Sequence, residues 1–140
     1  MSNLKINAIL VGLLTATMTL YSGDLLSAIA WVESRNNDYA IGDNGEAVGR
    51  YQLHRIYVDD VNRIAGTSYT YADRTDPLKS RQMVEIYLNY YGEVYRQRTG
   101  KRPTAEVLAR IHNGGPRGYE KNSTKSYWLK IKKEMDSGRY

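Results

Sequence analysis

From Ser22 onward, apolar residues recur at helical spacing in five runs, and nearly every run is bounded by a glycine or a proline. After the Ser22-Gly23-Asp24 start signal, Leu26, Ile29, Ala30 and Glu33 share one helical stripe, so an acid ends an apolar face. Tyr51 to Ala65 returns to helical spacing through Ile56, Val61 and Ile64, with Gly66 placed to end it. Asp76-Pro77 supplies an N-cap and a proline at the first helical position. The long helix it opens runs through Met83, Ile86, Tyr87 and Tyr90 toward Gly100, with a break expected near Gly92. Pro103-Thr104 opens a shorter helix through Val107, Leu108 and Ile111, stopped by Gly114-Gly115-Pro116 with Asn113 or Gly114 left-handed; a last helix covers 123–136. Strand signal is confined to 38–50, where Asp43-Asn44-Gly45 forms a turn between short segments at Tyr39–Gly42 and Glu46–Gly49. The expected fold is mainly α: about five helices with a small hairpin or irregular loop near 38–50.

A chain of 140 residues suits a single domain that buries its own core. The absence of cysteine excludes disulfides, a cysteine nucleophile and lipoprotein attachment, and His54 and His112 lie too far apart to suggest a metal site. No cofactor and no metal are expected. Thirteen tyrosines and two tryptophans stand beside no phenylalanine, which fits either a sugar-binding groove or a tyrosine-rich core. The net charge of +5 is uneven: residues 1–50 carry −2, 51–100 carry +1 and 101–140 carry +6. Lys121, Lys125, Lys130, Lys132 and Lys133 dominate the basic end, which suits an anionic wall or membrane surface or simply a solvated helix face. No DNA-reading motif stands out, so nucleic acid is not expected as a partner.

Residues 6–20 follow Lys5 as an apolar run of signal-peptide length, shorter than the ~20 residues of a membrane-spanning helix. Asn7 interrupts it and no clean cleavage site precedes Ser22, so a first helix packed on the domain fits the same residues. The expected division is a signal or anchor-like segment at 1–22 and one folded domain at 23–140.

Glu33 is the first candidate for chemistry. Its stripe position removes it partly from water, which disfavours the carboxylate and lets it hold a proton at neutral pH. A surface glutamate ending a helix has the same spacing. Asp38, Asp43 and Glu46 in the following loop each offer a second carboxylate, although Asp43 is also an ordinary first residue of an Asp-Asn-Gly turn. Gly49-Arg50-Tyr51-Gln52 puts an amide beyond a bend, suited to a sugar hydroxyl or to a helix start. His112-Asn113-Gly114-Gly115-Pro116 lets main chain approach a ligand or stops a helix, and a helix C-terminus would favour the charged form of His112.

In order, these segments resemble the lysozyme-like superfamily. Ala30-Trp31-Val32-Glu33-Ser34 followed by Gly49-Arg50-Tyr51-Gln52 is similar to the Glu-Ser and Gly-x-x-Gln of soluble lytic transglycosylases. Ala109-Arg110-Ile111-His112-Asn113-Gly114-Gly115-Pro116 is similar to their Ala-x-Tyr-Asn-x-Gly element, with His112 in the Tyr position. Arg110 through Pro116, Gly118 and Thr124 with Tyr127-Trp128 resemble a stretch of invertebrate-type lysozymes. Those lysozymes are rich in cysteine and this chain has none, which points to a bacterial or phage relative.

The resemblance implies cleavage of the β-1,4 bond between N-acetylmuramic acid and N-acetylglucosamine in peptidoglycan, with Glu33 as general acid. It implies Ser34, Tyr51, Gln52, His112, Asn113 and Gly114 around the sugar, and Asp43 as second carboxylate by its distance to Gly49. Asp38 and Glu46 remain alternatives to Asp43. A lysozyme-type hydrolase is the favoured reading, with a lytic transglycosylase using Glu33 alone or a non-catalytic glycan-binding module as rivals. The expected setting is the cell envelope, periplasmic or secreted, with a phage lysis enzyme as one form of it, and the protein is expected to act as a monomer.

Overall fold

The computed structural model describes residues 22–140; the apolar run at 6–20 and the signal or anchor-like segment lie outside the described residues, save Ser22 itself. Five α-helices are described: α1 (Ser22–Ser34), α2 (Arg55–Ala65), α3 (Pro77–Thr99), α4 (Ala105–Gly114) and α5 (Lys125–Ser137). Between α1 and α2 lies one antiparallel hairpin, β1 (Ile41–Gly42) and β2 (Ala47–Val48), with Ile41 opposite Val48 and Gly42 opposite Ala47. The mainly α fold with a small hairpin is as the sequence predicts.

The helices form where capping and burial agree. Asp76 accepts from the N–H groups of Leu78 and Lys79 and Pro77 follows it, while Thr104 accepts from Val107 N–H. Helix α1 packs on α5 and α4, and α3 bridges α2 and α4. Ile29, Val58, Val61, Met83, Leu88, Ile111 and Ile131 meet in one core. Tyrosines complete it: Tyr57 stacks on Tyr87 at 3.9 Å, and Tyr91 leans on Tyr87 at 4.7 Å.

Four local expectations need correction. Helix α2 begins at Arg55 and not at Tyr51, because Gln52 sits at φ 51° and Leu53 pairs with Val48 in a further antiparallel bridge. Ile56, counted toward the apolar stripe, is exposed; Tyr57, Val58 and Val61 form the buried face instead. Helix α3 runs unbroken through Gly92, which packs so closely on the next segment that a Cβ there would lie 3.2 Å from Leu108 and 3.3 Å from Pro103. Helix α4 includes Asn113 and Gly114, and Gly115 takes the positive φ of 86° beyond it.

Two buried arginines hold the loops that frame the site. Arg74 donates through Nη1 to the carbonyls of Glu46 and Leu53 and through Nε to that of Tyr71, tying the hairpin to the turn at 71–75. Gly49 lets this contact form: its φ is 82°, and an added Cβ would lie 1.9 Å from the Arg74 carbonyl oxygen. Arg110 donates to Thr124 Oγ1 at 2.9 Å, to the Lys121 carbonyl at 2.9 Å and to Glu106 at 3.0 Å. The Arg110 and Thr124 positions of the sequence motif therefore join α4 to the segment leading into α5.

Candidate active site

A cleft of about 700 Å³ runs between the hairpin, α2 and the C-terminal end of α4. Glu33 reaches it from the last turn of α1, Asp43 from the hairpin turn, Gln52 and His54 from the segment before α2, and His112 and Asn113 from α4.

The Glu33 side chain is 19% exposed. Burial pushes its carboxyl up from 4.5 to about 7, and the charge of Asp43 pushes the same way. A hydrogen bond from Tyr127 and the charges of His54 and Lys130 oppose the rise. Tyr127 is itself buried, and its hydroxyl donates to Glu33 Oε1 at 2.8 Å. With a donor already at Oε1, the proton of the acid form is left to Oε2. Near neutral pH this side chain thus holds a proton that it can deliver.

His112 stands beside it, with Nε2 3.6 Å from Glu33 Oε1 and a nearly inaccessible side chain. Nε2 lies 3.2 Å from the Tyr51 carbonyl, which only accepts, so Nε2 carries the hydrogen. Nδ1, 3.2 Å from Tyr57 Oη, then accepts from that hydroxyl. Burial pulls the imidazole from 6.5 down to about 4. The charged form expected from the helix terminus is therefore not what the structure supports: burial outweighs the bond to the Tyr51 carbonyl, and His112 meets Glu33 as a neutral imidazole.

Of the three loop acids, Asp43 lines the cleft with Glu33. Asp38 is bound by Arg50 Nε at 2.6 Å, and exposed Glu46 does not line it. Asp43 and the next residue, Asn44, are both left-handed (φ 47° and 55°), and Asp43 Oδ2 lies 2.9 Å from His54 Nε2. Gln52 donates to the Ala40 and Gly49 carbonyls at 3.2 and 2.9 Å, which holds it in place while it borders the cleft.

Three residues expected around the sugar point elsewhere. The Tyr51 side chain is buried in the core, because the backbone turn at Gln52 sends it inward, and its carbonyl is what reaches His112. Ser34 Oγ donates to the Arg50 carbonyl at 2.9 Å and receives the Asn37 N–H, anchoring the loop after α1. Gly114 faces Thr124, where a Cβ would lie 2.5 Å from the threonine methyl. Tyr57, Tyr87 and His54 also line the cleft, and the sequence reading assigned none of them. Nor did it pair Tyr127 with Glu33: 94 residues separate the two, beyond any local spacing rule. Among the described residues no cluster of His, Cys, Asp and Glu is built to hold a metal ion.

A largely buried carboxyl that holds its proton and a second acidic side chain border one cleft on an α-rich domain with a small hairpin, an arrangement of lysozyme-like architecture. Comparison with known proteins agrees. The Transglycosylase SLT domain family matches residues 16–135. Invertebrate-type lysozyme 6 of Caenorhabditis elegans is 33% identical over 129 residues, covering 88% of this chain and 94% of that protein. Lysozyme 1 of Crassostrea virginica is 33% identical over 88 residues, covering 63% of this chain, and the chain spans only 45% of that protein's length. Among solved structures, a chain in the crystal structure of Aeromonas hydrophila PliI in complex with Meretrix lusoria lysozyme superposes with a TM-score of 0.63 and 31% identity, covering 80% of this chain and 88% of that one. The chain belongs to the Transglycosylase SLT domain family, within the lysozyme-like superfamily. It is accordingly an enzyme that cleaves peptidoglycan, by the lysozyme or the lytic transglycosylase route.

Proposed function

We propose that the route is hydrolysis, as a muramidase acting on the β-1,4 bond between N-acetylmuramic acid and N-acetylglucosamine. Glu33 protonates the leaving glycosidic oxygen from Oε2. Asp43, ionised on the hairpin side of the cleft, stabilises the oxocarbenium-like state or activates the attacking water. Asn113 and Gln52 hold the sugar. The observation that carries this reading is the shared cleft, in which one carboxyl is buried enough to keep its proton near neutral pH and a second one stays exposed. The enzyme works as a monomer in the cell envelope, periplasmic or secreted, with residues 1–22 directing it there; bacteriolysis as a phage endolysin is one such role. Among the described residues no helix is long and apolar enough to cross a membrane. The lysines of α5 draw the domain to the anionic wall, an attraction that salt screens.

A second reading, a lytic transglycosylase with Glu33 as its sole acid, is favoured by the family match and by the 70% exposure of the Asp43 side chain. Steady-state kinetics on purified peptidoglycan separate the two. Glu33→Gln, nearly isosteric, lowers kcat by about 10³-fold or more in either case, since proton transfer alone supplies about 10²–10⁴. Asp43→Asn lowers kcat at least about 100-fold if two carboxylates act, and by less than about threefold if Glu33 acts alone. Activity of Glu33→Gln within a few fold of the parent contradicts both.

A further inference from the structure

The N-cap of α2 is occupied by a residue that does not cap. His54 has the extended backbone of that position (φ −82°, ψ 160°), yet its side chain makes no bond to the helix's free N–H groups. Serine, threonine, aspartate or asparagine there would supply one. The imidazole turns instead to the hairpin, where Nε2 lies 2.9 Å from Asp43 Oδ2. An ionised carboxylate only accepts, so the Nε2–H donates.

Asp43 needs such a partner. Its side chain is 70% exposed, so burial does not fix its direction. Its left-handed backbone, followed by a left-handed Asn44, is what a tight hairpin turn asks of Asp and Asn, and it leaves the direction of the side chain to a partner. The distance between the turn and the start of α2 is set independently, because Arg74 binds the carbonyls of Glu46 and Leu53 on either side. His54 therefore stands at a fixed position from which its ring reaches Asp43, and both border the cleft that holds Glu33. A helix start that gives up its cap to set a donor beside a cleft carboxylate breaks a local rule for a reason beyond the helix.

We propose that His54 is a positioning residue for the glycosidic reaction: it aims the Asp43 carboxylate at the reacting sugar. The inference rests on the reading of Asp43 as second carboxylate.

The test is a set of four variants, His54→Ser, His54→Gln, Asp43→Asn and Asp43→Asn with His54→Ser, measured for kcat, KM and thermal midpoint. With His54→Ser, kcat falls about tenfold at nearly constant KM, a size typical of coupling between contacting residues. The midpoint stays level or rises, because serine caps α2. A purely structural role moves activity and midpoint down together. His54→Gln, which keeps an N–H donor of similar reach, recovers most of the lost kcat. In the Asp43→Asn background His54→Ser costs less than about twofold, since its partner is already gone.

A kcat within about twofold of the parent for His54→Ser, beside a large loss for Asp43→Asn, overturns the role of His54 alone. The same tenfold loss in both backgrounds also overturns it, because His54 then acts independently. If Asp43→Asn itself costs less than about threefold, the two-carboxylate reading fails and the positioning role falls with it.

Discussion

For single residues, activity turns on which groups hold protons. Glu33 delivers its proton only when protonated, so kcat/KM falls as pH rises through about 7. Tyr127 donates to the ionised form and thereby holds the pKa down. Tyr127→Phe removes that bond, and the descending limb of the pH profile moves up by about one unit; a limb that stays put or moves down contradicts the assignment. The sequence showed half of this. Glu33 at the end of the Leu26, Ile29, Ala30 stripe is legible as a candidate acid, because helical spacing puts it on the apolar face, but a surface glutamate has the same spacing and only packing settles its burial. The charge of His112 was misjudged, since the chain shows a helix terminus but not the walls of Tyr51 and Tyr57 that exclude water. Tyr127 and His54 escaped for the same reason: their partners are brought to them by tertiary packing.

Among the elements, the hairpin matters most, because it carries Asp43 and leads directly to Gln52. Its position depends on the close passage of Gly49 and the Arg74 carbonyl. Gly49→Ala adds a Cβ where 1.9 Å separates it from that oxygen, at a φ of 82° that alanine adopts poorly. We expect a stability loss of about 3 kcal/mol or more in urea unfolding, with activity falling as the hairpin shifts. A loss below about 0.5 kcal/mol contradicts the role given to this contact. Helix existence and caps were legible here: Asp76-Pro77, Thr104 and Gly66 all act as their residue types predict. The errors fall where packing overrides local preference. Leu53 pairs with Val48 and keeps 51–54 out of α2, while Gly92 stays helical because Pro103 and Leu108 close over it.

For the whole molecule, Glu33 and His112 tie stability to pH with opposite signs. Raising the Glu33 pKa in the fold from 4.5 to about 7 favours the folded state below 4.5 and forfeits that contribution as pH rises to 7, about 3 kcal/mol in all. His112, lowered from 6.5 to about 4, contributes above 6.5 and loses it as pH falls toward 4. Glu33→Gln removes the first effect alone. Relative to the parent it gains stability between pH 4.5 and 7, reaching up to about 3 kcal/mol above that, and matches the parent at pH 4; an equal difference at every pH contradicts the burial argument. Mass spectrometry of the soluble products from purified peptidoglycan, with the parent and Glu33→Gln side by side, distinguishes the two routes at the bond itself. Hydrolysis gives fragments with reducing muramic ends from the parent and none from the variant. Fragments with 1,6-anhydro ends, or identical products from both proteins, would contradict hydrolysis by Glu33 and Asp43.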